Sequence, residues 1–367
     1  MGKDVRNKIL KKLKEKTGGD RNIQLPKQSI KFEEVDAKTL QMTFTDKKYI
    51  EGYDWENKEH KIAHKNYNMQ ESSVCFEAWA VIIKTYCTEY KKIILAVDSV
   101  NGLYQNWIDK KNSRDAKNGH VGRFFYRALR FSEQYDWFEL ATEVETEVKA
   151  FEEEWINNKT KKLYNNIPHG EPNSSKDKNA INENYFEKQL SESEELYKKL
   201  TGIEALENNK IYRQLPVGLF ENEVVAVNTV FTGGKSAIDM WTSYGNTIYP
   251  IELKYKQEMV GMITELFFYA NFLWDLVGEN GAFVLQVPKE KEQKLANMRG
   301  YDKLKKGSFA NVKAVFLADK YHPLLTSEVI KTLNAITTEE KKVSVSYVQC
   351  IYEGDGKNII KSISIKK

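Results

Sequence analysis

The stretch SAIDMWTSYGNTIYPIELKYKQ, residues 236–257, limits what the chain can fold into more than any other segment. Two strand-like apolar runs flank the dipeptide Gly245-Asn246, which favours a two-residue β-hairpin loop. With the loop at these two residues the strands pair in one register, and Met240 lies opposite Ile251. The sequence therefore predicts an antiparallel hairpin in which the face of every side chain is known.

This register places three charged side chains together, because side chains alternate across a strand and Asp239, Glu252 and Lys254 share the face opposite to the apolar set. Two carboxylates directly opposite each other repel by about 0.2–1 kcal/mol even where water reaches them. Mg²⁺ would remove this repulsion, because it favours oxygen ligands and is commonly held by carboxylates; the carbonyl of Leu253 offers a further oxygen. Lys254 would orient or deprotonate a water, or stabilise phosphate charge. A solvated sheet face with an ordinary Glu–Lys pair is the alternative.

The spacing of these residues resembles that of a nuclease superfamily. Asp239, followed on the next strand by Glu252-Leu253-Lys254, resembles the motif of the PD-(D/E)xK superfamily, which has the restriction-endonuclease-like fold. The expected element order, α-β-β-β-α-β, is similar to the common core of that superfamily over roughly residues 183–290. The resemblance implies that Asp239 and Glu252 bind Mg²⁺ or Mn²⁺, and that Lys254 assists the attacking water.

The same resemblance implies supporting residues on two helices. Members of the superfamily often add a glutamate from the helix before the sheet; Glu187 in NYFEKQL is the candidate, and Glu183 is the alternate. The helix expected at 258–277 is apolar almost all round, so it should be buried or lie in an interface. RecB-like branches place Gln and Tyr four residues apart on this helix beside the site, and this chain keeps the spacing with Glu265 and Tyr269. A structural Glu265 paired with a lysine is the alternative.

The composition predicts a folded chain of two domains, since 367 residues carry 41% hydrophobic and 12% aromatic residues. Pro, Gly, Ser, Asn and Asp cluster at 166–182, which indicates a linker. Residues 1–165 are expected to form a separate mixed α/β domain with a recognition or regulatory role, and 183–367 the nuclease-like domain. The fold class is therefore α/β, with a mixed α+β sheet and an α-β-β-β-α-β core.

Five basic residues are candidates for contact with nucleic acid. In GRFFYRALRF, Arg123, Arg127 and Arg130 recur at helical spacing and would form a basic stripe against a phosphate backbone. A solvated face that pairs with downstream acids is the alternative. Lys235 and Lys256 flank the hairpin and would contact the backbone near the site.

Other features point to an intracellular protein without a zinc framework. Cys75, Cys87 and Cys350 are scattered and form no CxxC pair, which is typical of a reducing cytoplasm. His60 and His64, four residues apart, are a further candidate pair of metal ligands. No apolar run of about 18 residues occurs, and the N-terminus has no signal-peptide core, so we expect a soluble, cytoplasmic chain without a membrane partner.

Taken with the resemblance, these features predict a Mg²⁺-dependent nuclease that hydrolyses phosphodiester bonds, in DNA rather than RNA. An endonuclease of restriction or phage defence is the expected role. A homodimer is expected if both strands are cut together, because this requires two active sites. A non-catalytic nucleic-acid- or protein-binding module on the same fold, and a toxin-like RNase, are the alternatives.

Overall fold

The structure is a computed structural model that describes residues 2–19, 23–45, 69, 74–111, 118–167, 171–172, 181–204, 210–231, 236–337, 344–354 and 360–366. His60, His64 and Lys235 lie outside the described residues. The molecule is a mixed α/β protein with mixed sheets, as the sequence predicts.

The first half of the chain builds a four-stranded sheet in the order β1-β2-β3-β4. β1 and β2 are antiparallel, and β2, β3 and β4 run parallel. The strands are β1 (Ile30–Asp36), β2 (Thr39–Phe44), β3 (Lys92–Val97) and β4 (Phe138–Leu140). The helices are α1 (Gly2–Lys16), α2 (Phe76–Tyr86), α3 (Leu103–Lys111), α4 (Asn118–Gln134) and α5 (Thr142–Phe151), which continues as a π-helical turn over Glu152–Ile156.

The second half builds a six-stranded sheet in the order β12-β11-β10-β9-β8-β6. β8 is antiparallel to β6 and β9, whereas β10 is parallel to β9 and β11. The strands are β6 (Tyr212–Pro216), β8 (Ala237–Tyr244), β9 (Thr247–Lys254), β10 (Asn311–Ala318), β11 (Ser344–Gly354) and β12 (Ile360–Lys366). A separate two-stranded sheet pairs β5 (Leu163–Asn165) with β7 (Leu219–Glu221).

Helices cover both faces of the large sheet. α6 (Glu183–Ser191) and α7 (Glu194–Thr201) pack over one apolar face, which includes Leu253, whereas α8 (Met262–Val277) packs over the face that includes Phe316. α9 (Glu290–Met298) and α10 (Ser327–Asn334) complete the helices of this half. The single helix expected around 185–200 is two helices, because Ser193 begins the second: its Oγ accepts from the Leu196 N–H at 3.1 Å.

The apolar runs VVAVNTVF at residues 224–231 and AFVLQV at 282–287 predict two further strands, and both predictions are wrong. Residues 224–231 contain a 3₁₀ turn at Ala226–Asn228, and residues 282–287 form only an isolated bridge between Val284 and Tyr164. In these segments the two phenylalanines are buried by ring packing instead: Phe283 contacts Phe231 at 5.9 Å between centroids, whereas Val225 and Val287 are exposed. The strand that follows α8 in the large sheet is therefore β10.

The two halves share apolar packing. One cluster of buried side chains includes Val5 of α1, Phe76 of α2, Phe267 of α8 and Tyr347 of β11. Helix α8 is buried as its composition predicts: of its 16 residues, Trp274 alone is not buried. The boundaries of the two domains stay a prediction.

Candidate metal centre and active site

The hairpin forms in the predicted register. Met240 pairs with Ile251, and the ladder continues in step to the turn. Gly245 stands in the turn with φ at +57°, a value that glycine adopts without the steric cost that a side chain would add. The ladder between the two strands ends at the Met240–Ile251 pair, so Asp239 and Glu252 lie just beyond it. Ile238 packs in a different apolar cluster from Met240, which differs from the single apolar face that the register predicts.

At the open end of the hairpin the three predicted residues converge. The N–H of Leu253 donates to Asp239 Oδ2 at 2.9 Å, and Lys254 Nζ donates to Glu252 Oε1. Glu252 and Lys254 are each only 1% exposed. The alternative of a solvated sheet face therefore does not hold.

The electrostatics of this cluster are dominated by burial and by crowded carboxylates. Burial raises the pKa of Asp239 to about 8, and nearby Glu187 and Glu183 add to the effect. Burial raises the pKa of Glu252 well above its ordinary range, and Asp239 contributes to that shift. Burial lowers the pKa of Lys254, but the surrounding carboxylates, first that of Glu252, outweigh burial and raise it well above its ordinary value. Lys254 is therefore an ammonium ion held among acids.

The two glutamates of α6 have different surroundings. Glu187 Oε1 accepts from Arg213 Nε at 2.8 Å, and its Oε2 accepts from Gln214 Nε2 at 3.3 Å. Glu183 Oε2 is buried and has no hydrogen-bond partner among the described residues. Burial raises the pKa of Glu183, and Lys254 acts against this rise, which places Glu183 within electrostatic reach of the cluster. Both glutamates act on the pKa of Asp239, and Glu183 is the one with a carboxylate oxygen that has no hydrogen-bond partner among the described residues.

Helix α8 contributes the other two predicted residues. Glu265 Oε2 lies 3.4 Å from Lys254 Nζ, so the lysine that pairs with this glutamate is the lysine of the cluster. Burial raises the pKa of the Tyr269 hydroxyl well above its ordinary value, and the carboxylates of Glu252 and Glu265 add to the rise. Tyr269 therefore remains a protonated hydroxyl beside the acids.

The donor set fits a hard divalent cation, although it is not a closed metal site. Glu252 Oε2 is a second buried carboxylate oxygen without a hydrogen-bond partner among the described residues. Oxygen ligands of this kind suit Mg²⁺ and Mn²⁺. Within the described part of the chain, no three His, Cys, Asp or Glu side chains are grouped closely enough to form a complete metal site. The binding of Mg²⁺ or Mn²⁺ by Asp239, Glu252 and the Leu253 carbonyl stays a prediction.

The predicted basic stripe on α4 is corrected at two of its positions. Arg127 is fully buried and donates to both carboxylate oxygens of Glu77, at 2.6 and 2.5 Å. Arg130 Nη2 donates to the two oxygens of Asp275 at 2.9 and 2.7 Å. Neither guanidinium reaches the surface, because α4 turns this face toward α2 and α8. Their acidic partners, Glu77 and Asp275, also differ from the acids between Glu139 and Glu154 with which the sequence suggested a pairing.

The third arginine of the stripe lies close to the candidate site. Arg123 is 3% exposed, and its Nη1 donates to Ser236 Oγ at 3.2 Å, three residues before Asp239. Its guanidinium carbon lies 5.5 Å from the ring centroid of Phe268. Arg123 is thus not part of an exposed stripe.

Lys256 remains at the surface, two residues after Lys254. It has φ at +53°, and its N–H donates to Asp319 Oδ1 at 3.0 Å. The side chain lies against Tyr255, with Nζ 5.0 Å from the ring centroid. Its contact with nucleic acid stays a prediction.

No sequence signal pointed to one neighbour of the site, Arg213 of β6, whose Nε pairs with Glu187 Oε1 at 2.8 Å. Glu183 had a detectable signal, because it is the first residue of α6 and follows a capping residue, Asn182, whose side chain accepts from the Tyr185 N–H.

Comparison with protein-family models, with curated proteins and with solved structures gives no match. Among the described residues, no helix combines the length and the apolar character needed to cross a bilayer.

Proposed function

We propose that this chain is a Mg²⁺- or Mn²⁺-dependent nuclease that hydrolyses phosphodiester bonds in DNA. The observation that carries the proposal is the convergence of the partly buried Asp239 with the buried Glu252 and Lys254, with one oxygen of Glu252 left without a hydrogen-bond partner among the described residues. Burying two carboxylates side by side is costly unless a cation compensates them. A single lysine supplies part of that compensation, and a divalent ion would supply the rest.

The surrounding topology supports a restriction-endonuclease-like core, as in the PD-(D/E)xK superfamily. α6 precedes an antiparallel run of β6, β8 and β9, and α8 then leads to β10, which pairs parallel to β9. This is the α-β-β-β-α-β order that the resemblance implies, once β10 is taken as its last strand. The acids and the lysine lie on β8 and β9, the second and third strands of the run, where that core would have them.

When bound, Mg²⁺ supplies Lewis-acid polarisation of the phosphate and lowers the pKa of a coordinated water. Asp239 and Glu252 would hold the ion, and Glu183 would add an oxygen from α6. Lys254 is an ammonium ion at neutral pH, because the surrounding carboxylates raise its pKa. It would therefore orient a water or donate to a phosphate oxygen, and we do not assign it the role of general base.

Restriction or phage defence would be the biological role, with the first half of the chain recognising a sequence, a partner or a signal. Cleavage of both strands would require a homodimer with one site from each copy. The alternatives are a non-catalytic binding module on the same fold and an RNase. The experiment below separates both from a DNA nuclease.

The test is incubation of plasmid DNA and of structured RNA with the full chain in Mg²⁺, Mn²⁺ or EDTA. Asp239→Asn, Glu252→Gln and Lys254→Met should each abolish cleavage, whereas Glu258→Gln should retain it. Glu258 is the matched control, because it is an acid at the surface that pairs with Lys320 at 2.6 Å outside the cluster. Cleavage that persists in Asp239→Asn and Lys254→Met would refute the site. Binding of DNA without cleavage in any metal would favour the binding module, and cleavage of RNA alone would favour the RNase.

A further inference from the structure

A second cavity lies at the opposite end of the large sheet from the candidate active site. Its volume is about 1060 Å³, and it is lined by the segment 155–162, by the C-terminal end of α8 and by Asn246 of the hairpin turn. Asp239 and Lys254 stand at the other end of β8 and β9, so the cavity lies roughly 20–25 Å away at about 3.3 Å per residue. The two sites therefore do not share a ligand of small size.

One wall of the cavity is aromatic. Trp274 lines it, and this is the one residue of α8 that is not buried. The backbone of the following loop packs on the indole, because a Cβ added to Gly278 would lie 3.0 Å from ring atom Cδ2 of Trp274. The ring is thus held in place while part of it faces the cavity, which suits it for stacking on a planar ligand.

The opposite wall follows the π-helical turn at Glu152–Ile156, a type of turn that is frequent at functional sites. The turn carries Trp155, whose Nε1 donates to the Tyr104 hydroxyl at 3.1 Å. Lys161 Nζ lies 3.7 Å from the centroid of the Trp155 ring and pairs with Glu154 at 2.6 Å. These contacts hold the side chains of this wall in place, and they do not involve the two neighbouring lysines, Lys159 and Lys162.

Those cations are Lys159 and Lys162, which line the cavity and are exposed. Neither forms an ion pair with any residue that the structure describes. Asn158 and Asn280 add amide groups to the lining. The Oδ1 of Asn158 already accepts from the N–H and the hydroxyl of Thr160, so Asn158 offers chiefly its NH₂ group as a donor. The cavity therefore combines an aromatic side chain, two exposed lysines and amide groups. Two carboxylates also line it: Asp275 is paired with Arg130, and Glu279 is exposed.

We propose that this cavity binds a nucleotide. The base would stack on Trp274, the phosphates would lie against Lys159 and Lys162, and the asparagine amides would contact the edge of the base. The size is appropriate, because small-molecule pockets commonly have volumes of about 300–1,000 Å³. The inference does not depend on the nuclease activity, although Trp274 and Glu265 belong to the same helix.

The test is calorimetric titration of the full chain, in EDTA, with ATP, ADP, AMP, inorganic phosphate and a short oligothymidine. At least one nucleotide should bind saturably and more tightly than phosphate alone. The double variant Lys159→Glu/Lys162→Glu should weaken that binding by about tenfold or more, since charge-assisted contacts to phosphate are lost. Trp274→Leu should also weaken it, whereas Trp274→Phe should keep most of the affinity.

The matched control is Lys291→Glu/Lys294→Glu, which makes the same change in charge at two exposed lysines of α9 outside the cavity. Its nucleotide affinity should stay within about twofold of the parent chain, because no contact to phosphate is removed. Absence of saturable binding for every nucleotide would overturn the proposal, as would equal affinities of the two double variants. If oligothymidine binds more tightly than every mononucleotide, the proposal of a nucleotide pocket is wrong, and the cavity is part of a groove that binds a nucleic-acid strand.

Discussion

Neutralising Asp239 should stabilise the metal-free protein at alkaline pH. Burial raises the pKa of Asp239 from the ordinary 3.8 to about 8. Between these values the folded state retains a proton that the unfolded state has lost, so the free energy of unfolding falls as pH rises. The fall ends above the folded-state pKa, where both states are ionised.

The magnitude follows from the part of this window that an experiment covers. Each pKa unit corresponds to about 1.36 kcal/mol, so the largest loss between about pH 5.5 and 8 is about 3 kcal/mol. Asp239 is only partly buried, and water entry reduces the loss; we expect about 1–3 kcal/mol. In Asp239→Asn, the amide oxygen can still accept from the Leu253 N–H, so the variant keeps this contact. It loses the decrease in the free energy of unfolding with rising pH that Asp239 causes.

The assay is urea unfolding followed by tryptophan fluorescence, in EDTA, at four pH values across this window. Glu252 and Glu183 contribute slopes of the same sign, since burial raises their pKa values too. The difference between parent and variant therefore reports Asp239 together with its effect on the pKa of Glu252, which Asp239 helps to raise. Mg²⁺ should restore stability to the parent chain at pH 8 and have little effect on the variant. Glu258→Gln, at an exposed position, should follow the parent. Parallel pH profiles for the parent and Asp239→Asn would refute this account of the buried cluster.

Three further changes test other parts of the structure. Glu183→Gln should lower Mg²⁺ affinity by about tenfold while the fold persists, measured by calorimetry; unchanged affinity would remove Glu183 from the metal site. Arg127→Met should cost about 3–5 kcal/mol in urea unfolding, because it leaves the Glu77 carboxylate buried without its cation; a loss below 1 kcal/mol would argue against the buried pair. Gly245→Ala should cost about 1 kcal/mol, because alanine is strained at positive φ, and should leave Mg²⁺ affinity unchanged; a neutral effect on stability would contradict the turn geometry.

The hairpin and its shared face could be predicted from the sequence because they depend on local rules. A two-residue turn sets the register, and the alternation of side chains does the rest, so the grouping of Asp239, Glu252 and Lys254 required no knowledge of distant residues. The same holds for the apolar helix α8, whose composition alone indicated burial.

The expectations that failed each depended on a partner far away in the chain. The helical spacing of Arg127 and Arg130 predicted an exposed stripe, but both are buried and form ion pairs with Glu77 and Asp275. Apolar content made residues 282–287 look like a strand, yet Phe283 is buried by aromatic packing without a ladder.

For this protein, the amino-acid order alone determined which side chains share a strand face and where the chain reverses, because backbone geometry acts between neighbours. Only the tertiary structure decided that α8 covers this face, with Glu265 against Lys254. It also decided that Arg213 forms an ion pair with Glu187, whereas one oxygen of Glu183 has no hydrogen-bond partner among the described residues. Burial and ion pairing join residues that are distant in sequence. They set the pKa values on which the proposed chemistry depends.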